Sequence, residues 1–151
     1  MDNGRFAQGA GPVEPERNDR AQQLFRAIAA RIDVRFANPC TKVATLASEL
    51  GMTPRHLQRV LHSASGLTFG QYLRRRRVAE ASRLLLAEGM SLRIKEVAAR
   101  VGLNDTRTLD RHFSREIGLT PGRFRARHLA PRQPAEEPES DRADAIDPRT
   151  D

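Results

Sequence analysis

The chain has one cysteine, Cys40, no tryptophan and a single tyrosine, Tyr72. A lone thiol excludes an internal disulfide and a zinc site built from several cysteines, and Cys40 is expected to pack as a small apolar residue ahead of the first motif described below. No stretch reaches the roughly twenty apolar residues of a membrane span, and the N-terminus has no apolar signal core. A cytoplasmic location is expected, with no membrane partner. Glycines are scattered rather than gathered into a phosphate-binding loop, and no Ser, Cys or Lys has a neighbour that would activate it as a nucleophile. His56, His62, His112 and His128 lack metal-ligand spacing to an acidic or Cys partner. Catalytic residues, metals and cofactors are therefore expected to be none, and the chain is not expected to be an enzyme.

Acidic residues are scarce where the apolar residues are dense. Residues 21–130 hold 20 Lys or Arg against 8 Asp or Glu, hence +12, whereas residues 1–20 carry −1 and residues 131–151 carry −4. A basic helical domain has the electrostatic footprint of a nucleic-acid binder, because each neutralised phosphate releases condensed counterions. Charge alone does not decide this, since Arg greatly outnumbers Lys and a codon bias toward Arg would give the same surplus.

An internal repeat decides it. Val43, Leu46, Ala47, Leu50, Gly51 and Met52 recur as Ile94, Val97, Ala98, Val101, Gly102 and Leu103 at an offset of 51. Leu57, Arg59, Leu61, Gly66, Leu67 and Thr68 recur as Leu109, Arg111, Phe113, Gly118, Leu119 and Thr120 at an offset of 52, so the second copy has gained one residue between turn and helix. Each copy places apolar residues at i, i+3, i+4 and i+7, then a glycine, then a helix with a narrow apolar stripe and basic or polar outer faces. That is a helix-turn-helix pattern. Thr53 with Pro54, and Asn104 with Asp105, supply the caps for the second helix of each copy.

Between the copies, the sequence from Thr68 to Gly89 contains one early Gly70 and no proline, which predicts a single helix of about 19 residues, nearly 30 Å long. Tyr72, Leu73, Val78, Ala81 and Leu85 can pack into the cores on either side, making it a rigid spacer. Leu24, Phe25, Ile28, Ile32 and Phe36 form an amphipathic helix completing the first unit, and Phe124 to Leu129 complete the second. The expected fold class is all-α, two helix-turn-helix subdomains joined by a long rigid linker helix. The expected boundaries are a disordered segment 1–20, a first subdomain 21–67, a linker helix 68–88, a second subdomain 89–130 and a disordered acidic tail 131–151. The run Arg74 to Arg77 reads as a solvated helix face, with one or two residues turned toward a ligand and one packing or pairing with Glu80 or Glu88.

These motifs resemble the DNA-binding domain of the AraC/XylS family of bacterial transcription regulators. The resemblance rests on Ala98, Val101, Gly102, Leu103, Asn104, Asp105, Leu109, Arg111, Phe113, Ser114, Arg115, Gly118, Thr120, Pro121, Phe124 and Arg125. In the first copy it rests on Arg55, His56, Leu57, Gln58, Arg59, Gly66, Gln71, Tyr72 and Leu73, and it covers about residues 21–129. It implies two unlike recognition helices held about 34 Å apart, entering successive major grooves of double-stranded promoter DNA. It further implies an asymmetric site, a monomer, nucleoid association, and activation by recruiting RNA polymerase. Most family members carry a separate sensor domain, so the chain is either a stand-alone regulator or a domain whose sensing partner lies elsewhere.

Solvent-facing positions of the two recognition helices are the candidate DNA-binding residues. In the first these are Arg55, Gln58 and Arg59, with His56 and His62 nearer the backbone; in the second they are Thr106, Arg107, Thr108 and Arg111. Arg pairs with guanine through two hydrogen bonds and Gln with adenine. Asp110 departs from the family pattern, where a small hydroxyl residue is usual. It either accepts from a cytosine amino group or marks a second helix that docks less deeply. Two other classes share these features: a non-specific architectural DNA-binding protein, and a protein-interaction module whose acidic tail covers the basic face until residues 131–151 are removed.

Overall fold

A computed structural model describes residues 14–130, so the expectations for 1–13 and for the tail 131–151 lie outside the described residues. Seven helices and no strand are found among the described residues: α1 (Glu14–Arg35), α2 (Val43–Glu49), α3 (Pro54–Ser65), α4 (Phe69–Ala87), α5 (Ile94–Arg100), α6 (Thr106–Ile117) and α7 (Pro121–Leu129). The fold is all-α, with the helix-turn-helix pairs α2–α3 and α5–α6 flanking the 19-residue α4.

The apolar periodicities segregate into two cores. Ile28 and Ile32 of α1 close over Leu46, Ala47, Leu57 and Leu61, and the N-terminal half of α4 adds Phe69 and Leu73. Its C-terminal half turns Val78, Ala81, Leu84 and Leu85 into the second core, against Val97, Val101, Leu109, Phe113 and Phe124. Phe113 and Phe124 meet edge to face with centroids 5.2 Å apart.

The repeat is also a repeat of caps. Gly51 and Gly102 end α2 and α5 with φ of 64° and 77°, a left-handed conformation that glycine adopts without strain. Asn104, the residue gained in the second copy, stands in the turn just before the N-cap Asp105.

Three expectations differ from what is found. α1 starts at Glu14, inside the segment expected to be disordered. Residues 17–23 include Arg17, Arg20, Ala21, Gln22 and Gln23, good helix formers that prolong the helix without extending its apolar stripe. Cys40 is exposed rather than packed; its backbone N–H donates to Asn38 Oδ1 at 2.8 Å in the turn after α1, an Asx turn at the surface.

Third, Arg74 to Arg77 is not a solvated face, although the expected pairing with Glu80 and the packing of one arginine are found. Arg74 and Arg75 both donate to Glu116 of α6, at 2.6 and 3.1 Å. Arg76 pairs with Asp33 of α1 and lies over the Phe36 ring, 4.4 Å from its centroid, and it also reaches Glu80 at 3.5 Å. Arg77 is buried and donates to the carbonyls of Phe36 at 2.8 Å and Asn38 at 3.0 Å. Consecutive residues on a helix diverge, and here the directions lead to α6 and to the end of α1. Phe36 packs against both cores, and Gly102 stands so close that a Cβ there would meet Phe36 O and the Ala37 carbonyl at 2.7 Å. The end of α1 is thus the junction at which the second motif's turn, the linker and the first subdomain are fixed together.

Candidate nucleic-acid interface

Each recognition helix is capped so that its outer face is held at a defined angle. In α3, Thr53 Oγ1 accepts from the His56 backbone N–H at 3.2 Å, and Pro54 fills the first helical position, where no N–H is needed. Leu57, Val60 and Leu61 face the core; Arg55, Gln58, Arg59 and His62 are exposed, and His56 is half-buried. Arg59 Nη2 lies 3.0 Å from His56 Nδ1. A guanidinium only donates, so Nδ1 is the acceptor and Nε2–H is left as a donor at the edge of the helix.

α6 repeats this arrangement with different residues. Asp105 takes the Thr108 backbone N–H at 2.7 Å and the Thr108 hydroxyl at 2.9 Å. These hydrogen bonds hold the Asp105 carboxyl below the usual carboxylate range. Arg111 Nη2 donates to Thr108 Oγ1 at 3.3 Å, the counterpart of the Arg59–His56 bond. Arg107 and Arg111 are exposed, while Thr106, Thr108 and Asp110 are half-buried. The offset of 52 pairs Arg55 with Arg107, His56 with Thr108, Gln58 with Asp110, and Arg59 with Arg111. Each helix therefore presents two arginines one turn apart, the second steered by a bond to the residue three before it. The middle position, Gln58 or Asp110, is where the two helices differ in charge.

Apart from Asp110 on α6 itself, the described acidic residues lie away from this face or are engaged as partners and caps. Glu49 is paired with Arg31 and Arg35, Glu116 with Arg74 and Arg75, Asp33 with Arg76, Glu80 with Arg76 and Arg83, and Glu88 with Arg100. Glu96 caps α5 by accepting from the Arg93 N–H at 2.8 Å, and Asp105 caps α6. Arg125 donates to the carbonyls of Gly89 and Leu92 at 3.3 and 2.7 Å, tying α7 to the turn after α4. Among the described residues, none of Arg55, Arg59, Arg107 and Arg111 is in an ion pair. Sequence reasoning missed Glu116 and Asp33 as the partners of the arginine run, because they lie about forty residues away and nothing local signals them.

His112 of α6 is half-buried, with Nδ1 buried and without a hydrogen-bond partner. Burial, reinforced by Arg74, Arg111 and Arg77 and opposed by Glu116, pushes its pKa below the ordinary histidine value. The unfolded chain therefore binds this proton more readily than the folded one, and stability is lost as pH falls through about 6.5. Melting temperatures measured from pH 7.5 to 5.0 should decline, and His112→Gln should flatten that decline. An equal decline in both proteins would show that His112 is not its source.

Known proteins with this arrangement were found by sequence and by shape. A family described as a helix-turn-helix domain matches residues 46–127. The transcriptional activator RhrA of Rhizobium meliloti is 32% identical over 80% of this chain, although the match spans 37% of RhrA. The probable transcription factor PqrA of Proteus vulgaris is 34% identical over 62% of this chain and 75% of its own length. The DNA-binding domain of AdpA, solved in complex with a target DNA, superposes with a TM-score of 0.65 at 30% identity, covering 72% of this chain and 95% of that one. The chain spans little more than a third of several longer relatives, such as YpdC of Escherichia coli at 37%. With its paired motifs, its linker helix and these relatives, the chain belongs to the AraC/XylS family of helix-turn-helix transcription regulators.

Proposed function

We propose that the chain binds an asymmetric promoter site as a monomer, placing α3 and α6 in successive major grooves, and that it activates transcription by recruiting RNA polymerase. The observation that carries this reading is the charge arrangement: acidic side chains neutralise arginines on the linker and flanks, while the arginines of α3 and α6 face solvent. Arg55, Gln58 and Arg59 read base edges in the first half-site, and His56 and His62 contact its backbone. Arg107, Arg111 and Thr106 serve the second. Thr108, whose hydroxyl is already shared between Asp105 and Arg111, aims Arg111 from the rim.

Asp110 stands where α3 has Gln58, and a carboxylate there repels phosphate, so α6 docks less deeply and the first half-site contributes more affinity. Promoter binding places the protein in the cytoplasm, on the nucleoid. The names of RhrA as a transcriptional activator and of AdpA as a global transcriptional factor support the same class.

Selection of bound sequences from a random duplex pool at near-physiological salt tests the reading. The expected product is a two-part asymmetric motif. Arg55→Ala should blur one half and Arg107→Ala the other, each lowering affinity for the selected site about tenfold, as loss of one base contact does. Asp110→Asn should tighten binding. Recovery of no motif would identify a non-specific DNA binder instead.

A further inference from the structure

α1 continues well beyond its own core. Its inward stripe begins at Leu24, and residues 17–23 are all exposed, so these residues make about 10 Å of helix that buries little apolar surface. Packing does not account for it. Its direction does: Arg17 and Arg20 line one side of a groove of about 480 Å³ whose other side is Gly51, Met52 and His56, at the N-terminal end of α3. A neighbouring concavity links that same turn and His56 to Arg59. Arg17 and Arg20 are three apart and share a face, whereas Asp19 between them lines neither of the grooves bordered by α1 and α3.

We propose that this helical extension is a third DNA contact, in which Arg17 and Arg20 bind the phosphate backbone beside the groove entered by α3. The inference rests on the reading of α3 as a recognition helix. Such a helix presents its N-terminal residues to the base edges, so the groove edges, where phosphates lie, flank that end of α3. Arg17, Arg20 and the free Nε2–H of His56 surround that end from the α1 side. Guanidinium groups on a stiff helix suit this partner, because they match phosphate oxygens in pairs and are displaced little on binding. The contact carries no base preference; it adds affinity and lengthens the footprint on one side only.

The test is a salt series with fluorescent duplexes carrying the selected site, one with a long flank beyond the α3 half-site and one trimmed there. The whole chain is compared with Arg17→Ala/Arg20→Ala and Arg17→Lys/Arg20→Lys. On the long duplex the alanine variant should bind about tenfold more weakly, and its slope of log affinity against log salt should fall by about 1.8, the value for two phosphates. Its base preference should be unchanged, the lysine variant should keep most of the affinity, and trimming should abolish the difference. Unchanged affinity and slope, or an equal loss on both duplexes, would overturn the proposal; circular dichroism confirms that the variants remain helical. A parent chain that does not distinguish the selected site from a scrambled one would instead refute the reading of α3.

Discussion

Gly102→Ala should destabilise the protein by about 3 kcal/mol, while the same substitution at the equivalent turn of the first motif, Gly51→Ala, should cost about 1 kcal/mol. Both glycines have positive φ, 77° and 64°, so both pay the left-handed strain of a Cβ. Only Gly102 faces backbone: its Cβ would meet Phe36 O and the Ala37 carbonyl at 2.7 Å, whereas nothing lies within 4 Å of the Cβ position at Gly51. A carbonyl in a tight turn cannot rotate away like a flexible side chain, so the two halves must separate. Urea unfolding of the two variants measures the difference. Equal costs would mean that the close approach of the second turn to the end of α1 is absent in solution.

Arg77→Ala should cost about 2 kcal/mol and loosen the same junction. Arg77 is buried, and burial lowers its pKa from the usual arginine value; its two carbonyl partners, Phe36 and Asn38, belong to the turn after α1. Removing the guanidinium leaves both acceptors poorly satisfied, and hydrogen bonds from a charged donor contribute about 1.5–3 kcal/mol. Arg77→Lys should recover less than half of the loss, because a single ammonium cannot reproduce a planar fork that reaches two carbonyls. Full rescue by lysine would show that charge, not fork geometry, holds the turn.

The elements and the surface they display were legible in different degrees, for physical reasons. Helix periodicity, the left-handed glycines and the Thr53 and Asp105 caps are short-range signals, and they locate α2 to α7 and the outward faces of α3 and α6. The absence of proline, and of glycine between Gly70 and Gly89, made the linker recognisable as one helix. The arginine run was misleading because its meaning is set at long range: Glu116 and Asp33 meet Arg74, Arg75 and Arg76 only after folding. Exposure of Cys40 follows from an Asx turn formed by Asn38, and the start of α1 follows from polar helix formers that carry no apolar rhythm. The Thr108 hydroxyl is engaged by both Asp105 and Arg111, an arrangement that residue type alone does not disclose.

The measurement that bears most directly on the proposed rigid, two-headed binding is affinity for the selected site as base pairs are inserted between its halves. Five inserted pairs turn the second half-site to the opposite face of the duplex. With α3 and α6 fixed through Phe36, Arg77 and Gly102, affinity should fall about 100-fold, to that of the first half-site alone, as expected when the second helix's base contacts are lost. Binding should remain at one protein per duplex throughout. Affinity within threefold of the uninterrupted site would contradict the account, because it would require two motifs that move independently.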